Sequence, residues 1–138
     1  MSTFREAVES GDHEAIAAQL AENVVFTSPV AFEPYPGKVI TAAILRGVLR
    51  VFEELHYVRE FHSADGRDHA LEFEAVVDGK KINGCDFLHL DADGKVDDLK
   101  VMVRPLSAAN ALAQAMGAQF PQIESEAAEE LSRQASGA

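Results

Sequence analysis

The chain has 138 residues, 47% of them hydrophobic, which suits one domain with a buried core; no apolar run is long enough to span a membrane. Twelve basic residues against 23 acidic ones give a net charge of −11, so nucleic acids and anionic membranes are repelled and excluded as partners. A single cysteine, Cys85, excludes an internal disulfide and fits a reducing cytoplasm, and residues 1–6 lack the basic-then-apolar pattern of a signal peptide.

Thr3 and Glu6 form a capping-box pattern for a short first helix, which Gly11 can end. Asp12 can then cap a second helix with an apolar stripe of Ala15, Ile16, Ala17 and Leu20. Residues 24–26 read as a short strand, broken at Pro29. Three prolines and a glycine between Pro29 and Gly37 forbid regular structure, leaving a loop that carries Phe32 and Tyr35. A third helix fits residues 38–52, where Ile40, Ile44, Val48, Val51 and Phe52 recur at helical spacing, although the β-branched residues lower the propensity and Gly47 weakens the pattern.

Four strands follow. Residues 55–64 make the first and 69–77 the second, on which Leu71, Phe73, Ala75 and Val77 face one way and Glu72 and Glu74 the other. Asp78-Gly79 is a hairpin signal, and residues 80–90 form the third strand. Asp91-Ala92-Asp93-Gly94 turns the chain into a fourth strand over 95–104, with Leu99, Val101 and Val103 on its apolar side. The regular hairpins predict an antiparallel meander with one face buried. Beyond Pro105 a helix fits residues 107–116, with Gly117 as its terminator; the acidic tail over 121–138 is expected to be flexible.

One residue breaks the apolar face of the third strand. Ile82, Gly84, Asp86, Leu88 and Leu90 share that face, and among them Asp86 alone has a polar side chain. A carboxylate buried there needs a partner, a raised pKa or a functional role. Parity on the first strand groups Arg59 with Leu55, Tyr57 and Phe61, so an Arg59–Asp86 pair is geometrically open. By the same argument His69 joins Leu71 and Phe73 near the rim, where an imidazole could serve as a base. Cys85, Phe87 and Met102 lie on the opposite face, a candidate dimer contact. His56, His62, His69 and His89 lack the spacing of a metal motif, and no metal or cofactor is expected.

The order of these elements is α+β, with helices gathered on one sheet face. Gly11-Asp12-His13-Glu14-Ala15-Ile16, followed by Val25-Phe26-Thr27-Ser28-Pro29, resembles the opening of the nuclear transport factor 2-like superfamily. Residues 86–96 resemble its last hairpin, and Met102-Val103-Arg104-Pro105-Leu106 resembles a strand end of its SnoaL-like and ketosteroid isomerase-like branch. The resemblance implies a single domain over 1–120 built as a conical barrel, a curved antiparallel sheet wrapped around N-terminal helices. It also implies an internal ligand cavity and a homodimer through the sheet. Phe26, Ser28, Phe32, Arg59, His69, Phe73, Leu88, Val101 and Val103 are then the expected substrate contacts, with Asp86 the catalytic candidate.

The steroid isomerases of that superfamily place a carboxylate base directly before the loop proline, where this chain has Ser28. They place a tyrosine on the first helix where it has Phe4. Only their protonated aspartic acid is matched, by Asp86. The epoxide hydrolases' Asp-Arg-Asp relay finds no match beyond Asp86, and the cyclases offer no residue to carry over. Two functions stay open. One is a protein holding a small apolar or weakly polar organic ligand, with or without isomerase, cyclase or hydrolase chemistry. The other is a non-catalytic dimerisation or protein-interaction module with a filled interior.

Overall fold

The computed structural model describes residues 3–137; Met1, Ser2 and Ala138, the extreme ends of the N-terminal segment and acidic tail read above, lie outside the described residues. Side-chain caps set the first two helices. In α1 (Phe4–Ser10) the Thr3 hydroxyl accepts from the Glu6 amide and the Glu6 carboxylate accepts from the Thr3 amide. Gly11, at φ 69°, ends that helix in the left-handed conformation. Asp12 then accepts from the amides of Glu14 and Ala15 to start α2 (His13–Ala18).

A six-stranded sheet follows in the spatial order β2-β1-β6-β5-β4-β3. Its meander comprises β3 (Glu53–His62), β4 (Asp68–Val77), β5 (Lys80–Leu90) and β6 (Val96–Arg104), each antiparallel to the next. The Asp78-Gly79 turn has positive φ at both residues, 49° and 74°, as a tight right-twisted hairpin demands. β1 (Leu20–Thr27) extends the sheet parallel to β6, and the two-residue β2 (Tyr35–Pro36) pairs antiparallel with β1. The sheet is therefore mixed, and Leu20, read as the end of a helical stripe, is a buried strand residue.

α3 (Lys38–Val51) and α4 (Leu106–Ser136) cover the inner face together with α1 and α2. α4 is the largest departure from expectation, since it runs through Gly117 and Pro121 instead of stopping. Packing against α3 overrides both breakers. Ile123 is fully buried and seats on Gly47, where an added Cβ would stand 2.7 Å from its Cδ1. Arg50 donates to Gln119 at 2.6 Å and to Glu126 at 3.2 Å, so an acidic residue of the expected free tail is tied to α3. The core is the sheet's inner face, Leu71, Phe73, Ala75, Val77, Ile82, Leu88, Val96 and Leu99, closed by Phe4, Ile16, Ile44, Leu112 and Ile123. Among the described residues no helix is long and apolar enough to cross a membrane.

The edge strand β3 carries an irregularity that decides which side chains face inward. Tyr57 pairs with Phe73, yet Arg59 pairs with Glu72, so one extra residue is accommodated between them. Such a bulge inverts the alternation beyond it. Leu55 and Tyr57 point to the core, whereas Arg59 and Phe61 point to the outer face.

Candidate functional site

Between the inner sheet face and the helices lies a cavity of about 230 Å³. β5 carries Asp86 to its wall, flanked in register by the apolar Leu71 on β4 and Val101 on β6. Gly84, one inward position away, lies opposite Phe73, and the Phe73 ring crosses it so closely that a Cβ there would sit 2.4 Å from Cζ. The missing side chain is what lets this ring lie against the sheet and form a wall. Phe52 and Tyr57 pack on it at centroid distances of 5.7 and 6.3 Å.

Tyr57 is the partner that Asp86 required. Its hydroxyl donates to Asp86 Oδ2 at 2.7 Å, with both residues buried. The second carboxyl oxygen takes no hydrogen bond from any described residue, and Asp86 is part of the cavity lining. Burial pushes the Asp86 carboxyl up from its ordinary 3.8 to about 6, and the Tyr57 hydrogen bond restrains the rise. Burial, reinforced by the adjacent carboxylate, holds the Tyr57 phenol well above its usual range. Near neutral pH the pair is thus a carboxylate receiving a phenolic hydrogen bond, and below about 6 it becomes a neutral acid able to donate.

Helix α1 holds Tyr57 in place. The Tyr57 amide donates to Glu9 at 3.4 Å, and the Arg5 guanidinium reaches the Tyr57 carbonyl at 3.5 Å while standing 5.8 Å from the ring centroid. Arg5 is itself anchored by Glu60 and Glu9.

Of the expected contacts, Phe26, Ser28, Phe73 and Val101 line this cavity together with Asp86. The others do not. Phe32 is 93% exposed, its ring projecting from the loop into solvent. Arg59, turned outward by the bulge, pairs with Glu72 at 3.0 Å and lies over the exposed Phe61 ring, so no Arg59–Asp86 pair exists. His69 sits at the far end of β4, bonded to the Gly66 carbonyl and in contact with His62, too far along the strand to reach the wall. Leu88, its register partner, is buried core one inward step beyond Asp86. Val103 stands opposite Gly84, a level that the Phe73 ring already occupies.

Reading the sequence for site residues passed over Tyr57, Tyr35, Phe52, Met116 and Phe120, all of which line the cavity. Tyr57 had a visible signal: an inward tyrosine on an apolar strand face needs a partner for its hydroxyl. Ser28 lines the mouth, but its oxygen is engaged by the amides of Val30 and Ala31 at 3.0 and 3.3 Å, holding its own loop. The four strand histidines all have protein partners: Glu74 for His56, Glu60 for His62, Gly66 for His69 and Asp97 for His89. No cluster of three or more His, Cys, Asp or Glu among the described residues is placed to hold a metal ion. Cys85 and Met102 are register partners on the outer face, where Phe61, Phe87 and Met102 are exposed.

A family model described as a SnoaL-like domain matches residues 2–99. A crystal structure of a steroid delta-isomerase from Pseudomonas aeruginosa shares 38% identity, covering 86% of this chain and 87% of that one, with a TM-score of 0.81. An uncharacterized protein with a cystatin-like fold from Silicibacter pomeroyi DSS-3 shares 36% identity over 84% of this chain and 81% of its own, at a TM-score of 0.80. The epoxide hydrolase/cyclase-like enzyme SalBIII, at 19% identity, 76% and 87% coverage and a TM-score of 0.62, shares the fold. No protein of curated function matches the chain. With the family model spanning most of its length and a cone-shaped sheet wrapped around helices, the chain belongs to the SnoaL-like family of the nuclear transport factor 2-like superfamily.

Proposed function

We propose that this protein binds a small, largely apolar organic molecule carrying an oxygen function, and that its chemistry is proton transfer at Asp86. The observation that carries this reading is the buried Asp86–Tyr57 pair, one carboxyl oxygen engaged and the other open to an apolar cavity. A ligand oxygen at that position accepts a proton or hydrogen bond from the neutral acid, and the carboxylate form takes a proton. A carboxyl titrating near 6 does either with little driving-force penalty. Proton transfer of this kind is a step that isomerase, cyclase and hydrolase chemistry can each use. A dimerisation module with a packed interior would leave no space beside Asp86, so the cavity favours the ligand reading over it.

The Pseudomonas aeruginosa relative is named for steroid isomerisation, but the present site lacks two parts of that machinery. Ser28, where the base would stand, has its oxygen committed to loop amides. Phe4, where a tyrosine would donate, has no hydroxyl, and the Tyr57 hydroxyl is spent on Asp86. Negligible turnover of a 5-ene-3-ketosteroid is expected, and rapid turnover by the purified protein would overturn that assignment. In solution a second copy covers the outer face through Phe61, Phe87 and Met102, which would otherwise leave an apolar patch in water.

The test is a thermal-shift panel of small alcohols and phenols, with matched hydrocarbons, at about pH 8, where the Asp86 carboxylate accepts from a ligand hydroxyl, against the wild-type protein and Asp86→Asn, which turns an amide donor to the cavity. A ligand held only by the folded state raises the melting temperature, and Asp86→Asn is expected to reduce that rise for the hydroxylated compounds while hydrocarbons bind both proteins alike. If Asp86→Asn binds every compound as the wild type does, the carboxyl is not the contact and the reading fails.

A further inference from the structure

We infer that α4 limits the size of the ligand to a one- or two-ring oxygenated hydrocarbon, excluding four-ring steroids. The inference rests on the reading that the cavity is the ligand site. An engineered cavity of about 150 Å³ holds benzene, so by proportion about 230 Å³ encloses roughly nine non-hydrogen atoms, the scale of a one- or two-ring molecule whose far edge emerges at the rim. A four-ring skeleton does not fit in that space, and the cavity wall explains why.

Residues 106–136 lie beyond the segment that the family model matches, yet α4 supplies Leu112, Met116 and Phe120 to the lining. The Phe120 ring packs on Tyr35 at 5.8 Å, and Tyr35 stacks on Phe26 at 6.3 Å, so an aromatic row runs from α4 to β1 across one side of the cavity. The helix cannot yield cheaply to a larger guest. Just beyond Phe120, buried Ile123 is seated on Gly47, while Arg50 grips Gln119 and Glu126. The exposed lining residues Val30, Ala113 and Gly117 mark the rim, where burial of a longer molecule would end. The polar pair lies at the opposite, buried end, so a fitting ligand sends one oxygen inward and its hydrocarbon body toward α4.

The experiment is calorimetric titration of the full chain with naphthol and with estradiol, a phenol on a four-ring skeleton, for the wild type and for Phe120→Ala and Met116→Ala. Phe120 is half-buried, so its truncation leaves the fold intact; the melting temperature of each variant verifies this. The wild type is expected to bind naphthol at least about tenfold more tightly than estradiol, and each truncation to narrow that ratio by about tenfold. Estradiol binding to the wild type as tightly as naphthol, or a ratio unchanged in both variants, overturns the size limit and leaves the ligand site standing. Failure of both probes to bind any of the three proteins overturns the ligand site itself, and the size limit with it.

Discussion

Replacing Asp86 by Asn should make the protein more stable, and only above a defined pH. The side chain titrates near 6 in the fold against an ordinary 3.8, and burial is the cause. Below 3.8 the group is neutral in both the folded and unfolded chain and costs nothing. Between 3.8 and about 6 the folded protein keeps a proton that the unfolded chain has released, so stability falls as pH rises. Above about 6 the whole penalty applies. At about 1.4 kcal/mol per pH unit, the interval amounts to about 3 kcal/mol. Asn avoids the ionisation cost and keeps an oxygen to accept from Tyr57, while its amide group takes the position of the unpartnered oxygen. Urea unfolding should therefore show Asp86→Asn more stable by about 3 kcal/mol at about pH 8, a midpoint shift of about 1–2 M. At about pH 3.5 the gain should vanish. These two conditions lie on either side of the isoelectric point near 4.7, where an uncharged protein would leave solution. A gain that is the same at both pH values, or a variant less stable than the wild type at the higher one, refutes the assignment of a desolvated carboxyl to Asp86.

Tyr57→Phe removes the bond that restrains the Asp86 pKa, so the carboxyl midpoint followed by carbon NMR should move above 6; stability at pH 8 should fall by about 1–3 kcal/mol. Gly84→Ala puts a Cβ 2.7 Å from the immovable Met102 carbonyl and 2.4 Å from Phe73, which costs about 1–3 kcal/mol in urea unfolding. The same substitution drives the Phe73 ring into the cavity and should weaken naphthol binding. Met102→Glu places a charge on the exposed outer patch; if the proposed dimer forms there, sedimentation should give a dimer for the wild type and a monomer for the variant.

What was legible in the sequence was what local chemistry decides. The Thr3–Glu6 box, the Asp12 cap, the Asp78-Gly79 turn and the period-2 runs of β4 and β5 each depend on residues close in the chain, and each stands where the pattern placed it. Asp86 was legible for the same reason, since one acid among Ile82, Gly84 and Leu88 is conspicuous without any partner in view. The failures are all matters of tertiary context. Gly117 and Pro121 read as stops because their local cost is real, and packing against α3, with Ile123 seated on Gly47 and Arg50 bonded to Gln119 and Glu126, outweighs it. The parallel pairing of β1 with β6 joins residues some seventy positions apart, from Leu20 to Val96 through Thr27 to Lys100, and carries no local signature.

The β3 bulge is the most instructive of these, because it separates the true partner of Asp86 from the expected one. Period-2 counting treats Tyr57, Arg59 and Phe61 as equivalent, and an acid on the next strand but one then selects the arginine. No glycine or proline marks the extra residue between Tyr57 and Arg59. It is stabilised at a distance, by Arg5 and Glu9 of α1 holding the Tyr57 backbone and by Glu72 holding Arg59. The consequence is chemical. An arginine beside Asp86 would have held it ionised and well below its usual range, a structural ion pair with no proton to give. A tyrosine leaves it near 6, within reach of both protonation states at neutral pH. The bulge thus determines whether the cavity holds a salt bridge or a titratable acid, and the register of one edge strand sets that difference.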